Sequence, residues 1–104
     1  MAGIGILAAR VRAIAKSVVQ DVTIDPHANE LSLNDSVKYL PSELAVAVTS
    51  AAELNKSGLA VIRFYPEGGS SGGEVSIDMP GRSGVRIVVD WLLGGISQET
   101  YALN

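Results

Sequence analysis

Residues 59–91 read LAVIRFYPEGGSSGGEVSIDMPGRSGVRIVVDW, three apolar runs separated by two glycine-rich breaks. The first run, 60–65, and the last, 85–91, are dominated by β-branched and aromatic residues, as expected for strands packed against a core. The breaks, 66–73 and 80–84, contain proline and glycine, which end strands and form turns. The stretch therefore predicts a three-stranded antiparallel meander, with the first break as a hairpin connection.

The middle run alternates between apolar and polar residues. Val75, Ile77 and Met79 share one face of the predicted strand, and the polar residues between them share the other. At the end of the last run, we expect Trp91 to close the edge of the core. Its neighbour Asp90 should face water or accept backbone hydrogen bonds at the turn.

The N-terminal part of the chain predicts an amphipathic helix over residues 4–18. Apolar residues recur there at intervals of three or four and form one stripe: Ile4, Leu7, Val11, Ile14 and Val18. An isolated helix of this length is marginal in water, so we expect the sheet to cover the stripe.

The rest of the chain predicts mostly strands. Residues 18–24 form a strand with Val18, Val22 and Ile24 facing inward. The other predicted elements are a turn at 25–29, a strand at 30–33, a connecting loop at 34–42, a strand at 43–50, one helical turn within 50–57 and a last short strand after residue 95. Together they predict a single α+β domain over 1–104, with a helix packed on an antiparallel sheet or sandwich of about six or seven strands within residues 19–98.

Composition indicates a globular chain and argues against several classes of function. Of the 104 residues, 47% are hydrophobic and 18% are charged, which is typical of a folded domain rather than a disordered one. The net charge is −3 and the basic residues are dispersed. Because a nucleic-acid backbone is bound through clustered Lys and Arg, we do not expect nucleic acid as a partner. Cysteine is absent, so neither a disulfide framework nor a thiolate metal site can form.

No arrangement of catalytic or metal-binding residues is evident in the sequence. His27, the only histidine, lies in the predicted turn beside Asp25, and this adjacency does not provide a hydrolytic triad. Calcium binding by Asp21, Asp25 and Asp35 is an alternative, although their spacing is not that of an EF-hand. The glycine loop ends in Gly-Gly-Glu and opens a strand, unlike a P-loop. We therefore expect no enzymatic activity, no cofactor and no metal.

Two motifs within residues 64–94 resemble the C-terminal signature of the H-type minor pseudopilins of the bacterial type II secretion system, and of related minor type IV pilins. In that family an aromatic residue, a proline, an acidic residue and a glycine- and serine-rich loop closed by Gly-Gly precede a Val-Asp-Trp-Leu-x-Gly segment. The matching residues here are Phe64, Pro66, Glu67, Gly68, Ser70, Ser71, Gly72, Gly73, Val89, Asp90, Trp91, Leu92 and Gly94. Of these, the resemblance implies a structural role for Phe64, Pro66, Gly72, Gly73, Asp90 and Trp91.

The resemblance implies a pilin-like fold and a structural, non-enzymatic role. A minor pseudopilin is incorporated at or near the tip of the periplasmic pseudopilus that exports folded proteins across the outer membrane. By analogy, the helix stripe would bind other minor and major pseudopilins, with secreted exoproteins or the secretin as further partners. The loop residues implied to contact partners are Glu67, Gly68, Gly69, Ser70 and Ser71.

The N-terminus lacks the leader and the long apolar membrane helix with which such proteins begin. The resemblance therefore implies the periplasmic domain of a protein anchored in the inner membrane of a Gram-negative bacterium and methylated at its N-terminus. We expect the membrane half to have been removed and Met1 to have been supplied by cloning.

Two other functions remain as alternatives. The first is a minor type IV pilin that binds DNA for uptake, since these relatives share the fold and much of the motif. They would be expected to carry a basic tail, whereas residues 96–104 contain no base and one acid. The second is an enzyme, which would require a pocket with acidic groups of perturbed pKa.

Overall fold

The computed structural model of the protein describes residues 2–33, 36–51, 54–55 and 58–103. In that part of the chain a helix is followed by eight strands. The elements are α1 (Ala2–Lys16), β1 (Gln20–Asp25), β2 (Glu30–Leu33), β3 (Ser36–Tyr39), β4 (Ala45–Ser50), β5 (Ala60–Phe64), β6 (Gly73–Met79), β7 (Ser83–Val89) and β8 (Ile96–Ala102). The predicted α+β class is confirmed, but the strands number eight rather than six or seven.

The strands form two four-stranded antiparallel sheets. The first sheet has the strand order β3-β2-β1-β5, and the second has the order β4-β6-β7-β8. One hydrophobic core contains buried residues from α1 and from both sheets. Its largest fully buried side chains are Phe64, Ile6, Ile62, Ile87, Val22 and Val75.

The predicted hairpin of β1 and β2 is confirmed. Val22 and Ile24 are buried on the inner face of β1, as the alternation indicates. The turn is held by Asp25, whose Oδ1 accepts hydrogen bonds from the backbone N–H groups of His27 at 3.0 Å and Ala28 at 3.2 Å.

Val18 does not belong to this hairpin, and the prediction that it faces inward at the start of the strand is wrong. Helix α1 ends at Lys16, Ser17 has a positive φ of 55°, and β1 begins at Gln20. The change of chain direction at Ser17 separates Val18 from the alternation of β1 and leaves its side chain exposed.

Strand β3 lies where the sequence predicts a loop at 34–42. All four of its residues are exposed, and it pairs with β2 at the edge of the first sheet. An edge strand held by its backbone shows no apolar alternation, which is why the sequence gives no signal for it. Of the eight residues in which one helical turn was predicted, 50–57, four lie outside the described part of the chain.

Strand β5 pairs with β1 in the first sheet, so the predicted three-stranded meander is wrong. Only β6 and β7 of that stretch are neighbours, and β8 extends the pair. Residues 65–72 therefore connect the two sheets rather than forming a hairpin. Strand β5 is apolar on nearly every residue and is buried at four of its five positions, and such a run does not reveal which strand it pairs with.

The second sheet turns an apolar face to the core. Val75, Ile87 and Val89 are buried there, and Ile77 packs beside them. Met79, predicted to share a face with Val75 and Ile77, is exposed because it lies at the end of β6, beyond the core.

The other face of the second sheet is polar. Arg86 lies between Glu74, at 2.6 Å, and Glu99, and its guanidinium is 5.0 Å from the centre of the Tyr101 ring. The Tyr101 hydroxyl donates a hydrogen bond to the carboxylate of Asp78. This bond, together with partial desolvation, raises the pKa of Tyr101 above its ordinary value of 10.0.

Helix α1 packs on the first sheet through one large side chain, that of Ile6, and otherwise through small residues. Ile6, Ala9 and Ala13 are fully buried. A Cβ at Gly5 would lie only 3.2 Å from Cδ2 of Leu31, so the helix backbone approaches β2 closely. The sheet therefore receives the side of α1 that is rich in glycine and alanine, which allows the helix to lie close to the strands.

Candidate interaction surface

The apolar stripe predicted on α1 faces away from the sheet. At about 3.6 residues per turn, Leu7, Val11 and Ile14 lie on the side of the helix opposite Ala9 and Ala13. Together with Val18, which follows the helix, they are 44 to 55% exposed. The prediction that the sheet covers the stripe is wrong, because Ile6, Ala9 and Ala13 occupy the contact. The side chain of Ile4 lies outside the described part of the structure.

Helix α1 is therefore apolar on two opposite sides. One side is buried in the core, and the other consists of large aliphatic side chains in contact with water. The stripe is flanked by Arg10 and Arg12, and Lys16 closes the helix; no residue of α1 is acidic. A soluble helix usually has one apolar side, so a second one indicates a surface that another molecule covers.

The inter-sheet loop, residues 65–72, packs against a turn formed by residues 90–95. The backbone N–H of Ser70 donates to the carbonyl oxygen of Trp91 at 3.0 Å, and the Ser70 hydroxyl donates to that of Asp90 at 2.8 Å. The same hydroxyl accepts a hydrogen bond of 2.9 Å from the backbone N–H of Gly72. Ser70 is buried, so these bonds fix the loop to the turn.

Two glycines permit this close packing. Gly94 has a φ of 67°, and a Cβ there would collide with the carbonyl oxygen of Gly68. Gly72 has a φ of 76°, and its Cβ would lie 3.0 Å from Cβ of Trp91. Both positions require the left-handed backbone region and close contact, which only glycine provides without strain.

Asp90 stabilises the turn, as expected from the sequence. Its Oδ2 accepts a hydrogen bond of 2.9 Å from the backbone N–H of Leu93, and its carbonyl oxygen accepts one of the same length from Gly94. The side chain itself is exposed. Asp90 therefore acts as the local acceptor of this turn.

Trp91 is exposed, so the prediction that it closes the core edge is wrong. Strand β7 ends at Val89, which takes the last inward position, and the chain then leaves the sheet. Trp91, Leu92 and Leu93 are 62 to 70% exposed in succession. The sequence matches Leu92 to the motif, but an exposed apolar turn at Leu92 and Leu93 was not predicted, although two adjacent leucines before Gly-Gly are a signal for one.

The remaining motif residues position the loop. Phe64 is fully buried at the end of β5, and Pro66, two residues later, is half-buried. Gly73 begins β6, where a Cβ would lie 3.0 Å from Cγ1 of Ile62. Ser71 forms two hydrogen bonds with the backbone of Arg63. Its N–H donates to the Arg63 carbonyl oxygen at 2.8 Å, and its hydroxyl accepts from the Arg63 N–H at 2.9 Å.

Of the loop residues predicted to contact partners, Glu67 is the exposed one. Gly68, Gly69 and Ser71 are half-buried, and Ser70 is buried. A partner that approaches this loop would therefore meet the Glu67 side chain and the backbone of the two glycines. Contact between this loop and partners stays a prediction.

Residues with catalytic or metal-binding chemistry do not converge in the described part of the chain. No group of three or more His, Cys, Asp or Glu residues there could hold a metal ion. His27 is exposed in its turn, and Asp21 forms an ion pair of 2.7 Å with Arg63. Asp35 lies outside the described residues. Within the same limits, no helix is both long and apolar enough to span a membrane.

The sequence has no match among family models or curated proteins. Among solved structures, the fold is similar to that of the minor pseudopilin EpsH from the type 2 secretion system of Vibrio cholerae. The two share 13% sequence identity, and the TM-score is 0.69 over 93% of this chain and 89% of EpsH. This chain therefore has a pseudopilin-like fold.

Proposed function

We propose that this chain is a structural subunit of a type II secretion pseudopilus, a minor pseudopilin that assembles at or near the tip and catalyses no reaction. The observation that carries the proposal is the exposed apolar stripe of α1, residues Leu7, Val11, Ile14 and Val18. The fold shared with EpsH supports it, because EpsH is a minor pseudopilin of such a system. The motifs around Pro66 and Trp91 agree with the same family.

On this proposal the stripe is the face that binds other pseudopilins. Full burial of an aliphatic side chain contributes about 1.5 to 3 kcal/mol, so covering four side chains that are about half exposed contributes roughly 3 to 6 kcal/mol. That gain is comparable to the cost of association alone. The stripe therefore needs additional contacts from its surroundings to hold a partner, and the proposed partners are minor and major pseudopilins.

Glu67 and the backbone of Gly68 and Gly69 form the second proposed contact. Glu67 is exposed and the two glycines are half-buried beside it, and the hydrogen bonds of Ser70 and Ser71 fix the loop. A fixed loop loses little conformational entropy when it binds. We assign to it contacts with neighbouring subunits, with the secretin or with exported proteins.

The proposed location is the periplasm of a Gram-negative bacterium. There the domain would be carried by a hydrophobic N-terminal helix anchored in the inner membrane, with the methylated N-terminus found in this class of protein.

A pull-down tests the proposal directly. The domain is immobilised and offered the soluble domains of the other minor pseudopilins of the same genome, with duplex DNA as a competing bait. Micromolar or tighter binding to one or more pseudopilins, and none to DNA, is expected. Binding to DNA alone, lost steeply as salt rises, would replace the proposal with the DNA-uptake alternative.

A further inference from the structure

A groove runs between α1 and the turn of residues 90–95; we call it the Arg10 groove. Its walls include Arg10 and Ile14 on the helix side and Trp91, Leu92 and Leu93 on the turn side. Ile14 also belongs to the stripe, so the groove continues the stripe towards the exposed turn. Four of these five side chains are apolar and exposed. The helix face and the turn thus form one apolar surface that contains the Arg10 guanidinium.

Arg10 has hydrogen-bonding capacity that its own chain leaves unused. Its Nη2 donates one long hydrogen bond of 3.4 Å to the carbonyl oxygen of Leu93, and its Nε is buried without a partner. Glu67 lines the same groove, but the ion pairs among the described residues involve only Arg63 and Arg86. The terminal Nη groups of Arg10 are therefore available to an incoming acceptor, whereas the buried Nε is not, and the paired Nη donors suit a carboxylate.

The charges around the Arg10 groove restrict which kinds of ligand can bind in it. Helix α1 carries three basic and no acidic residues, whereas the rim near the turn carries the exposed carboxylates of Glu67 and Asp90. A polyanion such as a nucleic acid or an anionic lipid surface would be repelled by these carboxylates. A mostly apolar segment with a single carboxylate placed at Arg10 would meet much less of this repulsion.

We propose that the Arg10 groove receives an amphipathic helix of a partner subunit, whose apolar side covers Ile14 and residues 91–93 and whose carboxylate pairs with Arg10. The inference rests on the proposed function and extends its binding face from the stripe across to the turn. Helices commonly bind in apolar grooves through residues spaced along one side. Trp and Arg are the residue types that most often dominate the binding energy of an interface.

Trp91 provides the measurement, because it is the only tryptophan in the sequence and lies in the groove. Two synthetic helical peptides with the same leucine stripe are titrated against the whole chain, one flanked by Glu and the other by Lys. We expect the Glu peptide to shift the Trp91 emission to shorter wavelength, to protect it from acrylamide and to bind at least tenfold more tightly than the Lys peptide.

Charge reversal identifies the residue responsible. In Arg10→Glu the tenfold preference should disappear or reverse, whereas Arg12→Glu, the same change on the other flank of the helix, should keep it. Arg10→Lys retains the charge and serves as the folding control, with circular dichroism of all variants. Equal binding of the two peptides, a preference that survives Arg10→Glu, or an emission shift caused by self-association or by anionic vesicles would overturn the inference.

The cognate pseudopilins separate this inference from the proposed function. Trp91→Ala keeps the Cβ that contacts Gly72, and so preserves the packing of the turn. We expect Trp91→Ala and Arg10→Glu each to weaken binding to a partner pseudopilin by tenfold or more. If Leu7→Asp with Val11→Asp abolishes binding and the groove variants leave it unchanged, the groove inference fails and the proposed function stands. If no pseudopilin binds the wild-type chain, the proposed function fails.

Discussion

Ser70 and Asp90 are twenty residues apart in the sequence and are joined by a hydrogen bond of 2.8 Å from the serine hydroxyl to the aspartate carbonyl oxygen. Because Ser70 lies in the inter-sheet loop and Asp90 begins the apolar turn, this bond connects the two segments that carry the recognisable motifs. The bond also holds the turn beside α1, where the turn forms a wall of the Arg10 groove.

Ser70→Ala tests this connection. The change leaves the backbone N–H of Gly72 without its acceptor and removes one of the two hydrogen bonds to the carbonyl oxygen of Asp90, which keeps the one from Gly94. We expect a cost of about 1 to 3 kcal/mol of the free energy of unfolding. Urea denaturation measures the loss. Ser97→Ala, at an exposed position on β8, should change the free energy of unfolding by less than about 0.5 kcal/mol. Equal midpoints for Ser70→Ala and the wild type would show that the bond contributes nothing.

Gly94→Ala tests the close approach of the turn to the loop. The alanine would have to adopt a φ of 67° and place its Cβ against the carbonyl oxygen of Gly68. The left-handed conformation alone costs about 1 to 2 kcal/mol, and the collision adds to it. Gly95→Ala is the control, because nothing lies within 4 Å of its Cβ position. We expect a clear decrease in thermal stability for Gly94→Ala only, and similar decreases for both would refute the packing described.

The ion pair of Asp21 and Arg63 should contribute modestly. Arg63 donates two hydrogen bonds, at 2.7 and 3.0 Å, to the two carboxylate oxygens, but the side chains are 38% and 34% exposed. At this exposure, solvent screening limits such pairs to about 0.2 to 1 kcal/mol. A double-mutant cycle with Asp21→Asn and Arg63→Gln should give a coupling energy in that range, decreasing with salt. A salt-independent coupling of several kcal/mol would contradict it.

Tyr101 should make stability depend on pH at the alkaline end. Its hydrogen bond to Asp78 raises the pKa of Tyr101 above 10.0, so the neutral phenol is favoured in the folded state. Its contribution to stability is therefore fully present below the unfolded-state pKa of about 10 and is lost as the pH rises through the folded-state pKa.

The measurement is the difference in free energy of unfolding between the wild type and Tyr101→Phe. We expect that difference to be constant up to about pH 10 and to decrease above it. Tyr39→Phe is the control, because Tyr39 is 70% exposed. A wild-type advantage over Tyr101→Phe that grows above that pH would reverse the sign of the effect and contradict the assignment.

The sequence predicted the elements whose two faces differ. Strands β1, β4 and β6 alternate between an inner and an outer side, and each was recognised, as was the turn at Asp25. Strand β3 has four exposed residues, so nothing in its side chains distinguishes it from a loop. The pairing of β5 with β1 depends on residues far apart in the chain, which alternation within one run cannot reveal.

The candidate site was predicted in part. The residues of the α1 stripe were identified, but their exposure to solvent was not predicted, because large apolar side chains were expected to be buried in the core. The sheet instead receives Ala9 and Ala13, whose small size allows close packing, and this choice depends on the shape of the whole helix contact. The role of Ser70 and the exposure of Trp91 follow from contacts between segments that are distant in sequence.

In the proposed function the stripe of α1 binds other pseudopilins, and the most direct test is to measure the affinity of stripe variants for a partner identified in the pull-down. Leu7→Asp with Val11→Asp places two charges in the stripe, and Ala8→Asp with Ala15→Asp places the same charges at exposed alanines beside it. Isothermal titration calorimetry should show a loss of binding of at least a hundredfold for the first pair and less than threefold for the second, with both variants folded. Equal affinities for the stripe variant and the wild type would contradict the claim.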